Sequence, residues 1–72
     1  MSPCAICSKP GIGFIRVFQS RKKVGSYSAC IEHMIMAWAA QEIAQDWIRK
    51  SLAQLLHIKR GAIPRFRVSA TE

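Results

Sequence analysis

Hydrophobic and polar positions divide the chain into a β-branched and aromatic stretch, a long apolar-rich stretch and a stretch alternating apolar and basic residues. GFIRVF, at 13–18, follows turn-forming Pro10, Gly11 and Gly13 and is rich in β-branched and aromatic residues, which predicts a strand. SRKK, at 20–23, is polar and predicts a hairpin turn, with VGSYS at 24–28 as a shorter return strand. From Ala29 to about Lys59 no Gly or Pro interrupts a run dominated by Ala, Leu, Ile, Met and Gln, so this part is expected to be helical. One unbroken helix of that length would run about 45 Å, longer than so small a domain is wide.

Within that run the apolar positions form two stripes. Ile31, Met34, Ile35 and Trp38 share one; Ala44, Ile48, Ser51, Leu52 and Leu55 share another, rotated by roughly a third of a turn at 100° per residue. Trp38 and Trp47 would lie on nearly opposite sides of a straight helix. Two outcomes follow. Either the helix breaks near Gln45 and Asp46, with Asp46 capping a second helix, or a second chain buries the second stripe. The stripe of Trp38 is expected in the core, whereas Trp47, Ile48, Leu52, Leu55 and Leu56 are expected to form a protein interface and support a helix-mediated homodimer. KRG, at 59–61, predicts the helix end, with two cations on the negative pole of the dipole and Gly61 as cap. IPRFRV beyond it alternates, so a strand there would present Arg65 and Arg67 on one face and Phe66 and Val68 on the other, confined to a sheet edge by Pro64.

With 72 residues the chain is at most one domain, whose core alone seldom supplies more than roughly 3–5 kcal/mol. It needs a staple. Half the residues are apolar, too many for a disordered chain. The longest uninterrupted apolar run, Met34–Ala40, has seven residues, against the roughly 20 that a membrane-spanning helix needs. No membrane association and no export signal are expected, which predicts a cytoplasmic protein whose thiols stay reduced. An odd number of cysteines, three, also argues against a disulfide framework.

The cysteines supply the staple. Cys4 and Cys7 form a C-x2-C pair in CAIC, and Cys30 and His33 form a C-x2-H pair in CIEH. Three thiolates and one imidazole are a standard closed tetrahedral set for structural Zn2+. Ser28 is placed as the helix N-cap, which would set Cys30 and His33 one turn apart in the first helical turn, where the helix dipole favours thiolate. Three small buried cysteines, or a Cys30/His33 nucleophile and base, are weaker readings. Neither uses every cysteine in two matched pairs, and the four acids provide little for a catalytic site.

In order, these elements are a Cys-x2-Cys turn, a hairpin, and a helix beginning with Cys-x2-His. Over residues 3–40 the chain resembles the treble-clef zinc fingers, with Ser8 where such knuckles often carry Gly. The resemblance implies Cys4, Cys7, Cys30 and His33 as metal ligands. The expected fold is a small α+β zinc-bound domain, a treble-clef-like knuckle and β-hairpin followed by a long or broken α-helix. Residues 1–61 would form the domain, with the knuckle and hairpin at 3–28 and the helical part at 29–60, and residues 62–72 a basic strand or tail ending in an unordered Ser-Ala-Thr-Glu.

Eleven Lys and Arg oppose four acids, for a net charge of +7 and a pI near 10.1. A Cys3His zinc site, with a formal charge of −1, lowers this only to about +6. The basic residues gather at the hairpin (Arg16, Arg21, Lys22, Lys23) and after the helix (Lys59, Arg60, Arg65, Arg67). The expectation is a regulatory protein binding DNA or RNA through phosphate contacts from those two clusters. The competing class is a protein-binding adaptor or inhibitor, of the kind encoded by phages and mobile elements, acting through the apolar helix face. Catalysis is not expected, because paired acids, an open metal position and a phosphate-cradling glycine loop are all missing from the sequence.

Overall fold

The structure, a computed structural model, describes residues 2–43 and 45–71. Ala44 of the second stripe and Glu72 of the C-terminal tail lie outside the described residues. Five elements follow in order: β1 (Gly13–Gln19), β2 (Lys22–Ala29), α1 (Ile31–Ile43), α2 (Asp46–Leu55) and β3 (Arg65–Ser69). The strands form one antiparallel sheet in the order β2-β1-β3. The molecule is thus a small α+β domain with two helices and a three-stranded sheet.

The hairpin is tighter than the polar SRKK segment suggests. Only Ser20 and Arg21 form the turn, both with positive φ (51° and 68°), while Lys22 and Lys23 already belong to β2. Two consecutive left-handed residues twist the chain in the sense that the two strands require. Between Val17 and Phe18 the register shifts, leaving Val24 as the extra residue of a bulge.

The long apolar stretch divides into α1 and α2 at the Gln45/Asp46 position. Gln45 rather than Asp46 occupies the N-cap, and it does so without a side-chain cap hydrogen bond. Asp46 is the first helical residue and pairs with Arg49. At its other end α2 stops after Leu55, well short of Gly61. His57 takes the left-handed conformation there, with φ 55°. Its N–H donates to Gln54 O and that of Ile58 to Ala53 O, the paired closure of a Schellman motif. That closure turns the chain back so that Ile58 packs against the core, and it leaves Lys59 and Arg60 in irregular chain beyond the helix. Gln19 Nε2 ties this loop to the hairpin by donating to Lys59 O and Ala62 O.

The core corrects the assignment of the two stripes. Ile48, Leu52 and Leu56, expected at an interface, are buried with Ile15, Val17 and Phe66. Trp47 and Leu55 remain exposed. Conversely Ile31, Ile35 and Trp38, expected in the core, face outward, with Ile35 59% and Trp38 54% exposed. Helix α1 packs instead through Ala37 and Ala40, with Met34 and Met36 half-buried beside them. Small residues allow a close approach to β3, where Gln41 Oε1 accepts the outward N–H of Val68. Phe66 on β3 is 2% exposed and contributes to the core, so the chain beyond Gly61 is part of the domain. Ser69 closes the strand, and its hydroxyl bonds both the carbonyl and the N–H of Thr71. Among the described residues no helix is long and apolar enough to cross a membrane.

Candidate metal centre and basic surfaces

The N-terminal pair is held in a small closed turn. Pro3 and Pro10 form an isolated antiparallel bridge, and Cys4 N–H donates to Lys9 O at 2.9 Å. Ile6 N–H donates to Cys4 Sγ at 3.5 Å. Nothing in this turn demands glycine, because among the described residues the left-handed non-glycines are Ser20, Arg21 and His57, and Ser8 is not one of them. The turn is anchored to the sheet through Ala5 N–H to Ser28 O, at 2.8 Å.

The second pair is placed by the junction between β2 and α1. Ala29 ends the strand and Ile31 begins the helix, so Cys30, and not Ser28, stands at the N-cap, with its carbonyl accepting Met34 N–H at 2.9 Å. Ser28 stays in β2, its hydroxyl donating to Ser2 O. An N-cap side chain naturally meets that of the third helical residue. Cys30 Sγ accordingly lies 3.2 Å from His33 Nδ1.

The two pairs converge. Cys4 Sγ is 3.5 Å and Cys7 Sγ 3.8 Å from His33 Nδ1, and Cys7 Sγ is 3.6 Å from Cys30 Sγ. All four ligand atoms lie within 4.8 Å of one another. A tetrahedral zinc ion with bonds of about 2.3 Å to sulfur and 2.0–2.1 Å to nitrogen needs ligand separations of about 3.6–3.8 Å. The observed distances lie close to that requirement, with Cys30–His33 shorter by a few tenths of an ångström, and Cys4, Cys7, Cys30 and His33 are positioned to bind a metal ion. The cysteines are free thiols, Cys4 and Cys30 buried. Burial pushes the Cys4 thiol up, but hydrogen bonds from the backbone of Cys7, Cys30 and Ile6 outweigh it and bring it down to about 6. Cys7 moves the other way: a backbone bond at Lys9 lowers it, while burial and the neighbouring sulfurs raise it to a net increase. Beside the centre, an ion pair between Lys9 and Glu32 links the knuckle to the first turn of α1.

The basic residues fall into two groups. Arg16, Lys23, Arg65 and Arg67 come together on the sheet: Arg16 stands directly opposite Arg67, and Phe18 lies between Lys23 and Arg65. Arg16 also donates to Thr71 O at 3.4 Å. Arg21 occupies the hairpin turn and Lys22 the adjoining strand end, while Lys59 and Arg60 lie with the loop held by Gln19. Arg49, absent from the sequence-predicted set, lines a cavity of about 270 Å³ with Arg65 and Arg67 at the outer edge of β3. Its helical periodicity marks it as an ordinary surface position, and only the packing of α2 beside β3 reveals it. Comparison with known proteins finds no match: neither a family model, nor a curated protein, nor a solved structure corresponds to this chain.

Proposed function

We propose that this is a zinc-stabilised, treble-clef-type protein that binds nucleic acid through its phosphates and acts as a regulator. Zinc fits the donor set of three soft sulfurs and one imidazole in a closed arrangement, which leaves no ligand position for substrate and supports a structural role without catalysis. Cys4, Cys7, Cys30 and His33 would hold the ion, which joins the knuckle to the hairpin and the start of α1. The observation that carries the function is the unopposed charge. Arg21, Lys22, Lys23, Lys59, Arg60, Arg65 and Arg67 are all exposed, and the ion pairs seen among the described residues engage Lys9 and Arg49 instead. A surplus of this size on so small a surface creates a field that a polyanion feels.

Fluorescence anisotropy with a labelled oligonucleotide tests this. About seven phosphate contacts predict a loss of affinity of roughly 10³-fold between 50 and 200 mM salt. Affinity that does not change over that range overturns the reading.

A second reading is favoured by the apolar stripe on α1. Ile31, Ile35 and Trp38 recur at i, i+4 and i+7 and are more than half exposed. This face, rather than the expected Leu52 stripe, would carry a homodimer or a protein partner. Sedimentation equilibrium showing a monomer at high micromolar concentration removes the dimer.

A further inference from the structure

The sheet has two unlike faces. Ile15, Val17 and Phe66 point to the helices and are buried. Alternate residues of a strand point the other way, and the register places Phe14, Arg16 and Phe18 of β1 on the second face. On that face Ser28, Ser26 and Lys23 of β2 flank them on one side, and Ser69, Arg67 and Arg65 of β3 on the other. Phe14 and Phe18 are half-buried yet do not belong to the core cluster or to the half-buried residues packed on it. Among the described residues, no helix covers them. Two half-buried phenyl rings on the face of the sheet turned away from the helices, about 13 Å apart along the strand, are left to be explained; Ser2 and Thr71 reach the margins of that face, where Ser28 and Arg16 donate to their carbonyls.

Their surroundings identify the occupant. Phe18 has a cation on either side, Lys23 of β2 and Arg65 of β3, and Arg67 stands next on the same face of β3. Arg65 and Arg67 also line a cavity at the outer edge of β3, beside Arg49, whose charge is engaged by Asp46. An apolar protein partner would have to desolvate these cations, and a simple anion would leave the rings unused. A ligand carrying regularly spaced negative charges together with flat, stackable rings satisfies both.

The geometry points to the sheet face turned away from the helices as a binding site for single-stranded nucleic acid: unpaired bases stack on Phe14 and Phe18, and the phosphates lie along Arg65, Arg67 and Lys23. This rests on the phosphate-binding reading above and narrows it to unpaired strands. A duplex keeps its bases stacked inside and offers the two rings nothing. Stacking on aromatic side chains tolerates any base, because every base has a π face, so little sequence preference is expected from these two rings.

The test measures the affinity of the full chain for a labelled single strand, for the duplex of the same sequence, and for inorganic polyphosphate, which has charge and no bases. The wild-type protein is expected to prefer the single strand over the duplex by roughly tenfold or more. F14L and F18L, which keep apolar bulk and remove the ring, should each lose roughly tenfold in single-strand affinity. F14Y and F18Y should retain it, and polyphosphate binding should be unchanged in all four. Should the leucine variants not fold, the preference of the wild-type protein for single strand over duplex and the tyrosine variants decide the matter. Equal affinity for single strand and duplex, or leucine variants matching wild type, overturns the stacking site while salt-sensitive polyphosphate binding leaves the broader reading standing. Failure to bind oligonucleotide and polyphosphate alike removes both.

Discussion

At the scale of single residues, several positions hold a conformation or a contact that their side chains do not favour. His57 takes φ 55° at the end of α2, where glycine is the usual occupant, and Arg21 takes φ 68° in the hairpin turn. His57→Gly is expected to stabilise the fold by about 1 kcal/mol, as measured by urea denaturation, since it relieves the left-handed strain and keeps both closing hydrogen bonds. Gly13 presents the opposite case. A Cβ there would stand 2.9 Å from Ser69 O and 2.7 Å from Met34 Cε, so β1, β3 and α1 meet with no room for a side chain. Met34 can move, but the backbone carbonyl of β3 cannot without disturbing the ladder. Gly13→Ala should therefore destabilise the fold by about 1–3 kcal/mol in the same assay. The sequence showed Gly13 as part of a turn signal, but its role depends on β3, which is remote in the chain.

Helices and strands differed in how much of them the sequence disclosed. The β1 strand, the hairpin, the break at Gln45/Asp46 and the alternation of Arg65–Val68 were legible, because each is written in a local period or a local interruption. The burial of the helices was not. Periodicity shows that α1 has a bulky stripe, and burying the larger apolar area is the natural expectation. The chain instead buries Ala37 and Ala40, because α1 lies close to the edge of β3, where Gln41 meets the Val68 N–H. Leu52 then fills the space beside Phe66 from α2. This exchange is testable by paired truncations. Leu52→Ala, at a fully buried position, should cost about 2–5 kcal/mol. Trp38→Ala, at a position 54% exposed, should stay within about 1 kcal/mol of wild type despite removing the larger side chain. Thermal or chemical denaturation reporting the reverse order would show that Trp38 belongs to the core after all.

The whole molecule joins two cooperating parts, a core built by β1, β3, α1 and α2, and a knuckle at residues 3–10 with little apolar burial of its own. In that knuckle Cys4 is buried and Ile6 packs half-buried against the core, and the other ties to the domain are a few hydrogen bonds and the exposed Lys9–Glu32 pair. That Cys4, Cys7, Cys30 and His33 form one set was legible in the sequence, because both pairs are local and every cysteine belongs to one of them, and the structure brings the four together; the placement of Cys30 at the N-cap required the strand to run on through Ala29. Structural zinc contributes about 10–16 kcal/mol in small metal-bound domains, more than a core of this size holds in reserve. If the four residues hold zinc as proposed, its removal should therefore release the knuckle and the β2–α1 junction together and lower the stability of the whole domain. A strong chelator at neutral pH is expected to reduce the circular dichroism signal, with recovery on adding Zn2+, and native mass spectrometry should show one ion per chain. Acidification should act in the same direction, since binding requires three thiolates and protons compete for all of them as pH falls. Cys30→Ser should reproduce the effect of the chelator and make the protein insensitive to it. A chain that carries no metal and keeps its spectrum in chelator would leave the convergence of Cys4, Cys7, Cys30 and His33 as packing alone, with the core carrying the fold without it.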